Sequence, residues 1–476
     1  MNYEPVIGLE VHVQLNTATK IFCSCSTKFG AEPNTQVCPV CLGLPGVLPV
    51  LNEEALKKAI LAGLALNCSI PENSKFDRKN YFYPDLPKAY QISQYDRPVC
   101  GKGYIEIVDE GVVKKIGITR LHLEEDAGKS IHSEDSSKNI SYVDLNRTGV
   151  PLAEIVSEPD MRSGNEAYEY LQKIKSLMKY IDVSDVNMEE GSLRCDVNIS
   201  LRKSSADKFG EKVEIKNLNS FKAVRASINY EMKRQASMLD DNEKIVQETR
   251  LWDSDKNETY SMRSKEDAHD YRYFPDPDLP PVKISADYIE KIRKTMPELP
   301  DARRVRLTKE FGLPEFDSSV LTSSRKLADY FETVVKLGSN PKKASNWIMS
   351  ELLAKIDDVD NIDKFIIKPE MLASLIKLID NNTISGKIAK TVFDEMISSG
   401  KNPEVIVKEK GLEQVTDTGA IEAVINKVLE ANQKSVEDYK SGKENALKFL
   451  IGQIMKESKG KANPQIVNDM LLAKIK

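Results

Sequence analysis

No apolar run in the 476 residues reaches the ~18 needed for a helix to cross a bilayer. An excess of basic charge is also missing. Lys and Arg number 68 against 73 Asp and Glu, for a net charge of −5. A chain that binds nucleic acid through bulk charge is thereby excluded, and only local patches remain for that purpose. There is no Gly-x-x-x-x-Gly-Lys-Ser/Thr loop, so nucleotide phosphates are not expected to sit on a P-loop. There is no Gly-x-Ser-x-Gly elbow or Ser-Gly-rich amidase stretch either, which argues against a stand-alone glutamine hydrolase. Met1-Asn2-Tyr3-Glu4-Pro5 runs almost directly into a strand pattern, so no signal or transit peptide and a cytoplasmic location are expected. Cys68, Cys100 and Cys195 are scattered, which fits a reducing compartment better than a disulfide framework.

The other four cysteines form two tight pairs, Cys23-Ser24-Cys25 and Cys38-Pro39-Val40-Cys41, with twelve residues between them. Two short turns can bring four thiolates to one point, as a tetrahedral zinc requires. A vestigial site, two disulfides or an iron–sulfur cluster are the other readings of the same spacing. Catalytic zinc keeps an open position, and four cysteines would fill all of them, so a structural role is expected.

At ~150 residues per domain the length predicts about three domains, and a 40% hydrophobic, 30% charged composition is ordinary for a globular chain. The pattern predicts an α+β body over 1–290, a helical domain over 291–402 and a small helical tail over 403–476. In the body, alternating runs mark strands at Val6 to Leu15, Ile116 to Leu123, Leu193 to Leu201 and Val213 to Ile215, and Leu171, Ile174, Met178 and Ile181 line one helical face. The proline cluster from Phe274 to Pro281 reads as an extended boundary. Beyond it, stripes such as Leu327, Phe331, Val334 and Val335, or Ile421, Val424, Ile425, Val428 and Leu429, read as helix cores. Gly400-Lys401-Asn402-Pro403 reads as a stop and a linker.

Period-two alternation assigns the polar residues to faces. Glu10, His12 and Gln14 share the face opposite Ile7, Leu9, Val11, Val13 and Leu15. Arg194, Asp196, Asn198 and Ser200 share the face opposite Leu193, Cys195, Val197 and Ile199. Glu214 and Lys216 alternate with Val213 and Ile215, and Glu124, Glu125 and Asp126 end a strand in a row. These are either the solvated side of a sheet or the lining of one cleft. In a cleft the acids and His can hold Mg²⁺, and the Arg and Lys can neutralise phosphate.

Several segments together resemble the family of B subunits of the aspartyl/glutamyl-tRNA amidotransferases. They are Val6 to Leu15, Cys38 to Gly46, Lys79 to Lys88, His122 to Asp126, the signature region Asp144 to Pro159, Gly191 to Asn198 and Tyr271 to Pro275. The resemblance covers essentially the whole chain. Ala153 departs from it, where a larger aliphatic is expected, and that touches packing only. The resemblance implies a cradle-like body, mainly an antiparallel sheet with inserted helices and a zinc knuckle, followed by the helical domain and a tRNA-binding tail. It implies that ATP activates the side-chain carboxylate of Glu-tRNA(Gln) or Asp-tRNA(Asn) as an acyl phosphate. Ammonia, delivered by a channel from the glutaminase (amidase) partner, the A subunit, then displaces phosphate. The small C subunit wraps both.

By resemblance, Glu10, His12, Glu124, Glu125 and Asp196 match metal and catalytic positions, with Glu10, His12, Glu125 and Asp196 expected to carry magnesium. Alternation alone does not decide between Glu124 and Glu125, because a bulge after Leu123 would exchange them. Lys79 and Lys88 resemble residues near the ammonia gate, and Arg194 and Lys216 are candidate phosphate contacts. From Asn402 onward there are twelve Lys, eleven acids and no Arg. Lys456, Lys459 and Lys461 are the one basic cluster there, and Lys342 and Lys343 before Trp347 are a second weak patch. The alternative to an enzyme subunit is a noncatalytic tRNA-binding scaffold with a structural zinc. The acid-rich strand faces oppose that reading.

Overall fold

The structure is a computed structural model that describes residues 3–133, 140–203, 208–264, 271–414, 418–458 and 462–475. The chain divides into two compact units, Met1–Leu299 and Pro300–Lys476.

Among the described residues, fifteen strands belong to the first unit. They are β1 (Glu4–Gln14), β2 (Asn73–Ser74), β3 (Asp77–Asn80), β4 (Tyr90–Ser93), β5 (Gly103–Asp109), β6 (Val112–Glu125), β7 (Lys129–His132), β8 (Ser141–Asp144), β9 (Pro151–Ser157), β10 (Leu193–Arg202), β11 (Val213–Lys216), β12 (Glu248–Asp253), β13 (Glu258–Ser264), β14 (Phe274–Pro275) and β15 (Val282–Lys283). Eight form the main sheet in the order β13-β12-β11-β10-β1-β9-β6-β5. Every neighbouring pair in it is antiparallel except β11 and β12. The mixed α/β architecture with an antiparallel-dominated sheet and a helical C-terminal region agrees with the sequence reading.

One face of this sheet is oily for a local reason. Ile7, Leu9, Val11 and Val13 alternate inward along β1. Leu193, Cys195, Val197 and Ile199 do so on β10, Ala153 and Ile155 on β9, and Leu121 and Leu123 on β6. Burying each Val, Leu or Ile among them contributes about 1.5–3 kcal/mol. The small Ala153 keeps its place in this layer. The three longest helices among the described residues of this unit share the cluster: Glu53–Ala65, Gly164–Tyr180 and Phe221–Asp240. Each starts where a side chain can accept from its first free N–H groups: Asn52 from Glu54 N, Ser163 from Glu166 N, and Ser220 from Ala223 N. Leu171, Ile174, Met178 and Ile181 all lie in the core, as their spacing predicts.

One buried charge ties the helix Phe221–Asp240 to the sheet. Glu231, fully buried, accepts from Arg234 at 2.8 Å and Gln235 at 3.0 Å, bonds Thr259 of β13, and lies 3.2 Å from Arg250 of β12. Burial alone would raise its carboxyl, but Arg234, Thr259 and Gln235 outweigh that and hold it below the usual range. Removing one partner of such a network strands the others. Glu231→Ala is therefore expected to cost about 3–5 kcal/mol in urea unfolding. The carboxylate is depressed, so its contribution is present above the ordinary carboxyl pKa and is lost as pH falls through the lower folded value.

Two boundaries fall elsewhere than periodicity alone placed them. The helix Ala286–Thr295 buries Ile292 in the body core, so the first unit runs past residue 290 to Leu299. Gly400, in the left-handed region, ends the helix Gly386–Ser399, but the next helix, Pro403–Glu409, sends Ile406 and Val407 into the core of the middle helices. A separate cluster starts at Ile421 and ends at Ile475. The stripes Leu327 to Val335 and Ile421 to Leu429 lie on the helices Arg325–Lys336 and Thr418–Ala431. No helix of the described residues is long and apolar enough to cross a membrane.

Candidate functional site

The second face of the main sheet is polar, and register assembles it. Arg194 of β10 pairs with His12 of β1, His12 with Glu154 of β9, and Glu154 with His122 of β6. Four side chains from four strands therefore stand in one row across the sheet. One step along the strands, Asp196 pairs with Glu10. One step the other way, Gln14 and Glu124 both pair with Leu152. The irregularity in β6 lies between Ile118 and Arg120, and pairing is regular from Arg120 to Glu125. Alternation therefore holds at the end of the strand. Glu124 joins His122 on the polar face, and Glu125 goes with Leu123 to the other side.

The centre of the row is a tight cluster. His12 Nε2 lies 3.3 Å from Glu154 and 3.7 Å from Glu124, and His122 Nε2 lies 3.5 Å and 3.7 Å from the same two carboxylates. His12, Glu124 and Glu154 can offer ligand atoms within 4.8 Å of one another, so they can hold a metal ion. Burial would lower the His12 imidazole, but Glu154, Glu124 and Asp196 overcome it and raise it to about 9. Glu154 is pushed the other way. Burial raises its carboxyl, while His122, His12 and Lys79 hold it well below the usual range. Opposed shifts among packed groups on one face make these residues candidates for a functional site.

Above the row stands an aromatic cage. Lys79 Nζ sits 4.9 Å from the Tyr271 ring and 5.8 Å from Tyr81, and Tyr271 meets Tyr273 edge-on at 6.1 Å. Burial would lower the Lys79 ammonium, but Glu124, Tyr273 and Glu154 raise it, so it stays charged and faces the carboxylates. Tyr273 rises to about 12 through burial, offset in part by Lys79.

The other expected residues separate. Glu10 accepts from Asn198 Nδ2 at 2.9 Å. Lys216 pairs with Asp196 at 2.8 Å and Glu214 at 3.3 Å. Arg194 and Gln14 both donate to buried Asp126, at 2.9 and 2.7 Å, and Arg147 lies 3.6 Å from it. Glu10, His12 and Asp196 share the polar face, as alternation predicts, but Glu125 is not with them. It accepts from Ile92 N at 2.8 Å and is ion-paired with Lys88, whose side chain is 6% exposed. The expected magnesium set of Glu10, His12, Glu125 and Asp196 is thus not one cluster, because adjacent strand residues point to opposite faces. Glu154 and His122 complete the cluster instead. Their signal was the polar position inside Pro151–Ser157 and the extra His two residues before Glu124, both inside the matching segments but invisible as partners until the strands paired.

The four knuckle thiols also meet. Cys23, Cys25, Cys38 and Cys41 offer sulfurs within 4.8 Å of one another, so the cluster can hold a metal ion. Cys41 Sγ accepts from Cys38 N at 3.2 Å, and fully buried Lys20 lies 3.7 Å from it. Hydrogen bonding from Cys23 holds the Cys41 thiol down, against burial, and Cys38 N–H and Lys20 add to it. A tetrathiolate around a divalent ion carries net negative charge, and a buried ammonium beside it fits that donor set. Gly43, at φ 68°, ends the turn Pro39–Leu42, and a Cβ there would sit 2.2 Å from Lys88 Cγ.

Cavities among the described residues adjoin these groups. One of about 190 Å³ lies between the knuckle and the Lys88–Glu125 pair. One of about 270 Å³ lies at the Gly8–Glu10 end of β1, beside Asn198 and Phe209. One of about 140 Å³ lies at the Gln14 end. Of the weak basic patches, Lys342 and Lys343 lie on the short helix Pro341–Trp347, where Lys343 is paired with Asp380, and Lys456 lies on the helix Glu444–Glu457. Lys459 and Lys461 lie outside the described residues.

Comparison with known proteins accounts for both units. The family described as GatB/GatE catalytic domain matches residues 5–290, and the one described as GatB domain matches 329–475. The B subunit of the aspartyl/glutamyl-tRNA(Asn/Gln) amidotransferase of Carboxydothermus hydrogenoformans is 59% identical over 475 residues, covering 99% of each chain. Proteins of the same name from Caldanaerobacter subterraneus and Geotalea daltonii are 59% and 57% identical, covering 99% and 100% of each chain. With identity of this extent along its whole length, the chain belongs to the GatB family, the B subunits of the aspartyl/glutamyl-tRNA(Asn/Gln) amidotransferases.

Proposed function

We propose that the chain activates the side-chain carboxylate of Glu-tRNA(Gln), Asp-tRNA(Asn) or both with ATP, then amidates it, as the B subunit of a tRNA-dependent amidotransferase. The observation that carries the reading is the cluster of His12, His122, Glu124 and Glu154 on three paired strands, with Lys79 above it. A carboxylate resists attack by ammonia because its leaving group would be oxide. Attack of its oxygen on the γ-phosphorus of ATP breaks the bond to ADP and makes phosphate the leaving group. Ammonia then attacks the acyl carbon, phosphate departs, and a proton is lost.

His12, Glu124 and Glu154 would hold Mg²⁺, with Glu10 and Asp196 beside them. The ion would neutralise charge on the nucleotide phosphates as the bond to ADP breaks. Lys79, Arg194 and Lys216 stand over or along the row as cations for phosphate oxygens. The cavity at the Gly8–Glu10 end suits the purine. Asn198 Nδ2 is committed to Glu10, and its buried Oδ1 has no hydrogen-bond partner among the described residues. An exocyclic amine would satisfy it, with the Phe209 ring alongside.

Ammonia is proposed to reach the row through the chamber lined by Lys88 and Glu125. Glu125 points to the opposite side of the sheet from Glu124, and Lys79 is proposed to guard the entry to the row. The ammonia comes from the glutaminase partner, the A subunit, and the small C subunit completes the assembly. The four cysteines hold a structural Zn²⁺. The cradle over 1–290, with the helix that extends it to Leu299, carries the kinase and transamidase steps. The middle helices, through Pro403–Glu409, form a helical domain that positions the acceptor arm, and the helices from Thr418 onward form a tail for the outer body of tRNA(Gln) or tRNA(Asn). The location proposed is the cytoplasm, where these tRNAs are charged.

The test supplies γ-labelled ATP, Glu-tRNA(Gln) and no ammonia source to the complete complex. Phosphate release that depends on Glu-tRNA, and conversion to Gln-tRNA on adding free ammonium, are expected. ATP turnover indifferent to Glu-tRNA would sink the reading.

A further inference from the structure

We infer that the cationic cavity at the Gln14 end of the polar face seats the 3′-terminal adenosine of the aminoacyl-tRNA. The inference rests on the proposed function. Glu10, His12 and Gln14 lie on one face of β1, so the two flanking cavities and the carboxylate cluster are strung along one strand. At ~3.4 Å per residue, Glu10 and Gln14 are about 14 Å apart, with His12 between them. Phosphoryl transfer keeps the attacking and leaving oxygens roughly in line on opposite sides of the phosphorus. If ADP leaves toward the Gly8–Glu10 cavity, the attacking carboxylate arrives from the Gln14 side. The ribose that carries its aminoacyl ester then lies at the Gln14 cavity.

The chemistry of that cavity fits a nucleotide. Lys28, Lys129 and Arg147 outnumber Asp144 and Glu190 on its walls, which leaves an excess of positive charge for a phosphodiester. Phe29, 58% exposed, presents a ring with Lys129 Nζ 5.2 Å from its centroid. Unpaired bases stack on such rings. Glu190 on the rim can accept from a ribose hydroxyl or an exocyclic amine.

The inference also gives work to the Asp144–Gly149 segment, which the proposed chemistry leaves without a role. Asn146 accepts from Gln36 N at 2.8 Å and donates to Glu32 O at 2.7 Å, so it clamps the loop between the two cysteine pairs. Arg147 donates to Ala127 O at 2.9 Å and Gly128 O at 2.6 Å. Together they hold the Phe29 loop against the base of the β7–β8 hairpin.

The experiment measures inhibition of the complete complex by two uncharged competitors, a tRNA(Gln) ending in CCA and the same RNA lacking the final A. The native complex is expected to prefer the intact end about tenfold or more. Phe29→Ala should abolish that preference and leave the KM for ATP unchanged. Phe29→Tyr should retain it, which excludes a folding defect as the cause. Lys28→Ala with Lys129→Ala should weaken both competitors alike and flatten their salt dependence. No preference in the native complex, or a full preference in Phe29→Ala, would overturn the assignment. Both outcomes are separable from failure of the proposed function, which would appear as native ATP turnover that ignores Glu-tRNA.

Discussion

Replacing Glu124 by Gln in the complete complex is expected to lower Glu-tRNA-dependent phosphate release by about 10²–10³, with glutamine hydrolysis by the amidase partner spared. Glu124 lies 3.7 Å from both His12 and His122, almost fully buried. The amide keeps the shape and one acceptor but removes the charge that would bind Mg²⁺. Glu125→Gln should behave differently. Glu125 accepts from Ile92 N, its backbone carbonyl accepts from Gln91 at 2.7 Å, and its ion pair is with Lys88 on the other side of the sheet. Its neutral variant is expected to retain most phosphate release and to lose conversion when glutamine is the nitrogen source. Measuring both reactions in both variants decides the matter. A Glu125 variant that cannot release phosphate, beside a normal Glu124 variant, would reverse the two roles.

The second large effect lies at the knuckle. Cys41 is the most buried of the four thiols, 3% exposed, and is bonded by Cys38 N and approached by Lys20. Cys41→Ser is expected to empty the metal site and leave the Lys20 ammonium buried without its thiolate. The loss should be on the order of 3–5 kcal/mol, read as a fall of several degrees in melting temperature. Metal analysis of the native chain should find one zinc, and a chelator should reproduce the shift. Amidation from glutamine should suffer more than phosphate release, because the turn that ends at Gly43 packs against Lys88. Full stability of a metal-free native chain would make the cysteines a relic and leave the carboxylate assignments standing.

Local sequence was enough to assign the faces. Glu10 with His12, and Arg194 with Asp196, share one side of β1 and β10 because a strand alternates with period two whatever it pairs with. The cysteine spacing likewise brought four sulfurs together, since two tight turns do so locally. The helical stripes of the second unit follow the same rule, with the tail's apolar faces legible residue by residue. Which strands are neighbours is a different matter, and it emerges only in three dimensions. Glu154 of β9 meets His12 across 142 positions of sequence and His122 of β6 across 32, and no local period reports such pairings. The choice between Glu124 and Glu125 turned on where β6 breaks register, before Arg120 rather than after Leu123. The domain edges shifted for the same reason. Ile292 and Ile406 are apolar residues on ordinary helices, and which core takes them is settled by what surrounds them in space.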